Sequence, residues 1–227
     1  MNIAGRLQKI YQQIAESATK YGRNPEEISL LAVSKTVSVD RIREAAAAGQ
    51  RIFGENYLQE AEEKYRQLSH LAELHCIGHI QSNKAKIAAA IFSMVQTIDR
   101  EKIARELNKH RQVIGKPLTA LVQVNIGGEE QKSGVRPEDC ENLLGAIREL
   151  PWLRVTGLMT IPPYSPNPED SRPFFRELRH LAVTLAEKKL FAGPKVELSM
   201  GMSGDFMVAI EEGATIIRVG TAIFGER

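Results

Sequence analysis

Lys35 ends the apolar run Ile28-Ser-Leu-Leu-Ala-Val-Ser34, so a buried strand over that run would deliver a lysine to its C-terminal end. Partial desolvation and neighbouring cations lower an amine's pKa, and the neutral amine attacks an aldehyde carbon. Strand position alone favours a plainer arrangement, in which the stem packs and the ammonium snorkels to solvent in a salt bridge. Other residues must therefore decide. Ser199-Met-Gly-Met-Ser-Gly-Asp205 and Arg218-Val-Gly-Thr-Ala-Ile-Phe-Gly225 each contain glycines that let backbone N–H groups turn toward an anion, with hydroxyls from Ser203 and Thr221 and close approach at Gly220. Either segment alone reads as a tight turn; two of them after the last two strands of a barrel read as a phosphate site. Arg218 lies among apolar neighbours in Thr215-Ile-Ile-Arg-Val-Gly220 and needs a buried acceptor, either a carboxylate of an adjacent strand or a ring nitrogen of a bound molecule. His75 and His79 are four apart on one predicted strand face, but no third ligand follows at metal-like spacing and no metal is expected. The polar junctions Glu55-Asn-Tyr57 and Gln81-Ser-Asn-Lys84 are explained economically by helix capping from Ser82 or Asn83.

Short runs rich in Val, Ile and Leu alternate with longer stretches of helical period, the pattern of βα units on a parallel sheet. Predicted strands cover 28–34, 51–54, 74–80, 94–98, 118–125, 154–160, 195–200 and 215–219. Predicted helices cover 39–48, 58–68, 84–90, 101–109, 137–149, 173–189 and 205–211, with Asp99 and Ser203 at N-cap positions and Gly49 and Gly213 at C-cap positions. Eight strands in this length predict one (β/α)8 TIM barrel of class α/β spanning 1–227, preceded by an extra helix over Met1–Tyr21; an open doubly wound sheet is the alternative. In a barrel, chemistry sits at the C-terminal strand ends. Reading past each strand gives Lys35, then Asn56, His79, Asp99, Asn125, Met159 with Thr160, the segment from Ser199 to Asp205, and the segment from Arg218 onward.

The 227 residues are 43% apolar and 26% charged, which fits an ordinary globular protein, and the net charge of +2 arises from 30 basic and 28 acidic residues without basic tracts. Nucleic-acid binding gains no support. The N-terminal helix is amphipathic, unlike a signal or membrane segment, and the two cysteines, Cys76 and Cys140, suggest neither a disulfide framework nor a zinc site. A reducing cytoplasm is the expected compartment.

The ordered motifs Leu31-Ala-Val-Ser-Lys-Thr36, Phe53-Gly-Glu-Asn-Tyr57, His75-Cys-Ile-Gly-His-Ile-Gln-Ser-Asn-Lys84, Lys132-Ser-Gly134, Gly157-Leu-Met-Thr-Ile161, Leu198-Ser-Met-Gly-Met-Ser203 and Ile217-Arg-Val-Gly-Thr-Ala-Ile-Phe-Gly225 run nearly end to end. In them the chain resembles the YggS/PROSC family of pyridoxal-phosphate-binding proteins, the PLP homeostasis proteins. The resemblance implies a barrel like the alanine racemase N-terminal domain, with pyridoxal 5′-phosphate (PLP) held as a Schiff base on Lys35 and Arg218 facing the pyridine nitrogen. Ser203, Gly220 and Thr221 match its phosphate-binding positions. Asn56, Ser199 and Met202 match residues lining the cofactor, Met202 through its backbone, and His79 and Met159 match the pocket wall. Cys76 and Ile80 stand where Phe and Leu are expected, and Gly204-Asp-Phe206 is a second departure after the phosphate loop. The implied role is control of vitamin B6 and of amino- and keto-acid balance by a monomeric, non-catalytic carrier that takes amino acids as further ligands and has unidentified client apo-enzymes.

Two enzymatic alternatives use the same lysine: a PLP-dependent racemase or decarboxylase, and a cofactor-free Schiff-base aldolase acting on a phosphorylated sugar. An arginine disfavours the protonated pyridine nitrogen, which weakens the ring as an electron sink. A racemase of this resemblance also takes its second base from a C-terminal domain, which is not expected in a chain whose sequence stops at Arg227.

Overall fold

The computed structural model describes residues 1–129 and 131–225; Glu130, Glu226 and Arg227, all within the expected barrel unit, lie outside the described residues. Among these, β1 (Ser29–Val33), β2 (Ile52–Glu55), β3 (Glu73–Cys76), β4 (Met94–Ile98), β5 (Leu118–Gln123), β6 (Leu153–Met159), β7 (Glu197–Ser199) and β8 (Ile216–Val219) close in sequence order into a parallel barrel. Closure is made by β1 on β8, with Ser29 opposite Ile216 and Leu31 opposite Arg218. The strands are short because they are buried on both faces and need only cross the core. Leu31, Leu121, Met159 and Ile216 fill the interior, each almost wholly buried, and each such side chain contributes about 1.5–3 kcal/mol.

The larger apolar cluster lies between strands and surrounding helices. Those helices are α1 (Ile3–Lys20), α2 (Val39–Ala47), α3 (Leu58–Leu68), α4 (Ala85–Ile91), α5 (Glu101–Ile114), α6 (Cys140–Arg148), α7 (Arg172–Glu187), α8 (Phe206–Glu211) and the single turn α9 (Thr221–Phe224). The extra N-terminal helix α1 buries Ile3, Leu7, Ile10, Ile14 and Ala18 against α2, α8 and α9. No helix among the described residues is long and apolar enough to cross a membrane. Cys76 and Cys140 are buried free thiols, each pushed up to about 12 by burial.

Several local expectations are corrected. The third strand stops at Cys76 rather than at residue 80, because the chain leaves the sheet at Gly78. A Cβ there would stand 2.2 Å from the Asn56 carbonyl oxygen, and the Gly78 carbonyl accepts from Thr97 Oγ1 at 2.7 Å instead of extending a ladder. Asp99 does not cap α5; Arg100 holds the N-cap position while the Asp99 carboxylate pairs with Arg100 Nη1 at 2.5 Å. Ser203 does not cap α8, whose N-cap is Asp205. Neither Ser82 nor Asn83 caps α4, since both fall inside the 3-10 turn Ser82–Lys84 that precedes it. Helix α5 runs to Ile114, beyond the predicted 109, and is terminated by Gly115 at φ +72°.

Candidate functional site at the C-terminal mouth of the barrel

Parallel strands aim all their C-terminal ends at one mouth, and there the structure holds a cavity of about 400 Å3. That volume accommodates a small cofactor. Of the ten residues expected at the site, Lys35, Asn56, Met202, Ser203, Arg218, Gly220 and Thr221 line this cavity. Ser199 lies directly behind Arg218, Met159 is fully buried in the barrel interior below, and His79 stands outside the lining on the exposed side, where its Nδ1 is 3.4 Å from Asp99 Oδ2. Ile77, Ile161 and Pro163 supply apolar walls, and Tyr164 and Ser165 of the β6–α7 loop form part of the rim.

Arg218 occupies β8 with only 3% of its surface exposed. Its Nη1 donates to Ser199 Oγ and its Nη2 to the Thr160 carbonyl, both at 2.7 Å. The carboxylate partner that sequence reasoning weighed is replaced by a hydroxyl and a carbonyl, both neutral. Burial lowers its pKa to about 10, with the Asp205 charge opposing the shift, so the guanidinium stays cationic at neutral pH. Its direct hydrogen-bond acceptors are neutral, and the carboxylate that acts on it, Asp205, lines the same cavity. With five N–H donors and two so engaged, the guanidinium retains donors for a ligand acceptor.

Ser199 also donates to Gln96 Oε1 at 2.6 Å, and Gln96 Nε2 lies 3.1 Å from His75 Nδ1. Thus β3, β4, β7 and β8 are joined through the barrel interior by the chain His75, Gln96, Ser199 and Arg218. Burial pulls His75 down to about 4, so its ring is neutral near pH 7, and a neutral ring whose Nδ1 accepts from Gln96 fixes the direction of the chain. His75 and His79 take separate partners, and among the described residues no group of three or more His, Cys, Asp and Glu side chains could hold a metal.

The loops after β7 and β8 are tied together. Ser203 Oγ accepts from the Gly220 N–H and from Thr221 Oγ1, both at 3.3 Å. Gly201 is required at the base of the first loop: its φ is +90°, and a Cβ would approach Ala209 Cβ to 2.5 Å. The Met202 N–H, expected to face the cofactor, donates instead to Asp205 Oδ1 at 2.6 Å, while Asp205 Oδ2 accepts from Ser171. Asp205, which also lines the cavity, thus braces the loop. Across the mouth, Asn56 Oδ1 is buried with no hydrogen-bond partner among the described residues, an acceptor that a ligand donor would satisfy.

Gln96 and the rim residue Ser165 were missed by sequence reasoning. A lone amide inside the apolar strand Met94-Val-Gln-Thr-Ile98 was the available signal for Gln96; Asp205 falls inside the segment expected to bind an anion, but its bracing role does not follow from the sequence.

The fold and mouth define a barrel of the alanine racemase N-terminal domain class, and the profile of that family matches residues 6–227. A pyridoxal phosphate homeostasis protein of Aquifex aeolicus is 45% identical, covering 100% of this chain and 99% of that one. One from Escherichia coli is also 45% identical, covering 100% and 97%. The structure of PipY from Synechococcus elongatus with PLP bound is 34% identical and superposes with a TM-score of 0.86, covering 99% of this chain and all of that one. The chain belongs to the pyridoxal phosphate homeostasis protein family.

Proposed function

We propose that this protein binds PLP, holds it as a Schiff base on Lys35, and serves as a non-catalytic carrier or regulator of PLP in the cytoplasm, acting as one barrel unit over 1–227. The observation that carries the reading is the convergence, on one cavity of about 400 Å3, of Lys35, the buried Arg218 and the tied loops at Ser203 and Gly220–Thr221. A flat, anionic, aldehyde-bearing molecule asks for those three kinds of group. When bound, PLP supplies an aldehyde carbon to which an amine nitrogen bonds as C=N while the carbonyl oxygen leaves as water, with no change of oxidation state.

The protein's own residues do the rest. The Gly220 N–H and the Thr221 hydroxyl, which donate to Ser203 Oγ here, would turn together with the Ser203 hydroxyl to a phosphate. Arg218, fixed by Ser199 and Thr160, points a cationic donor at a ring nitrogen and keeps that nitrogen unprotonated. Asn56 offers its unpaired Oδ1, and Met202 forms part of the wall. Met159 supports the floor from below, and His79 belongs to the outer rim. With the nitrogen unprotonated, carbanion chemistry is poorly supported, which favours carriage of PLP over turnover. Amino acids are further ligands by exchange at Lys35, and monomeric delivery to client apo-enzymes completes the reading. The test is the visible absorption of PLP-loaded protein before and after borohydride.

A further inference from the structure

Both neighbours of Lys35 are gripped by side chains from β2 and α3. Lys64 is 4% exposed, and its ammonium donates to the Ser34 carbonyl at 2.6 Å, Glu55 Oε1 at 2.8 Å and Glu60 Oε1 at 2.7 Å. Ser34 Oγ donates to Glu55 Oε1 at 2.5 Å. On the other side of Lys35, the Thr36 N–H donates to Glu60 Oε1 at 2.6 Å. Thr36 stands at φ +60°, a left-handed conformation that a β-branched residue rarely adopts. Such a backbone persists only where its surroundings over-determine it, and these outliers gather where a functional group must be held. Here the carbonyl before the lysine and the N–H after it are both fixed by one ion cluster, in which Lys64 and Glu55 are buried and Glu60 is partly exposed.

We infer that Glu60, with Lys64 and Glu55, positions Lys35, setting the turn that presents its amine to the cavity without touching the ligand. The inference rests on the proposed role of Lys35 as the aldehyde-binding amine. None of the three residues lines the cavity, so their effect must pass through residues 34–36.

The variant of choice is Glu60→Ala, because Glu60 is partly exposed and Lys64 keeps Glu55 and Ser34 as partners in its absence. Affinities are measured for PLP and for pyridoxine phosphate, which carries an alcohol in place of the aldehyde, and exchange of the Thr36 amide is followed in unliganded protein. The advantage of PLP over pyridoxine phosphate is expected to fall about ten-fold in Glu60→Ala, the loss of one hydrogen bond to a charged acceptor. Pyridoxine phosphate affinity should stay within about two-fold of wild type, on that same scale. Glu60→Gln, which keeps an oxygen acceptor for the Thr36 N–H, should restore the advantage and slow the exchange again. An unchanged advantage in Glu60→Ala, or an equal loss for both ligands, overturns the positioning role. No advantage of PLP over the alcohol in wild type would instead defeat the Schiff-base reading, while faster Thr36 exchange in Glu60→Ala would still support the grip on the turn.

Discussion

Arg218 and Ser199 are joined across the β7–β8 junction by a 2.7 Å hydrogen bond in which guanidinium Nη1 donates to the seryl oxygen. Ser199 is fully buried and passes its own proton toward Gln96. Ser199→Ala therefore strands a charged donor and an amide acceptor together. The expected loss of stability is about 1.5–3 kcal/mol, read by urea unfolding. A loss below about 0.5 kcal/mol, the scale of a neutral surface change, would show that the interior chain does not hold Arg218.

Ser203→Ala and Thr221→Val should each weaken PLP binding by about 1–2 kcal/mol, the scale of a hydrogen bond to a charged group. Because Ser203 Oγ is contacted by both the Gly220 N–H and Thr221 Oγ1, the double variant should lose less than the sum of the singles. Calorimetric titration of the three variants checks this. Wild-type affinity in both single variants would place the phosphate elsewhere.

His75 gives a pH signature. Its folded pKa, about 4, lies below the ordinary value of 6.5, so between these values the unfolded chain binds more protons and stability rises with pH. Going from pH 7 to pH 5 should cost the fold about 2 kcal/mol through this group. His75→Gln, which keeps an acceptor for Gln96, should remove that part of the slope. Glu55, whose pKa is raised chiefly by burial, contributes with the opposite sign in both proteins and cancels from the comparison. Parallel slopes in wild type and variant would contradict the burial account of His75.

The eight strands were legible because apolar runs of strand length recur between helical periods, and Lys35, Arg218 and the two loops were legible because their residue types are costly or unusual where they stand. The network around Lys35 was not. Lys64 sits four residues after Glu60 on a helix, a spacing that describes an ordinary exposed ion pair, and only the packing of α3 on β2, beside Ser34, makes it a buried hub. The shared face proposed for His75 and His79 failed for a related reason. It assumed a strand through residue 80, whereas contact between Gly78 and the Asn56 backbone turns the chain out at Cys76. Close approach between distant segments leaves no local period to read.

Racemisation needs an acid/base group on each face of the α-carbon. Lys35 serves one. Near the mouth, Tyr164 lines the cavity but is 89% exposed, and Tyr57 is not part of the lining. Incubating L- and D-alanine with PLP-loaded protein in deuterated water should give slow α-deuterium incorporation with retained chirality. Inversion with many turnovers per site would make the protein an enzyme.

Whether the amine of Lys35 holds PLP is read by peptide mass spectrometry after borohydride treatment of PLP-loaded wild type and Lys35→Ala. The reduced adduct is predicted on the peptide containing Lys35 in wild type and absent from the variant, which should still bind PLP weakly through the loops at Ser203 and Thr221. An adduct that persists in the variant, on Lys84 or Lys132 for example, or no adduct in wild type, would contradict the account.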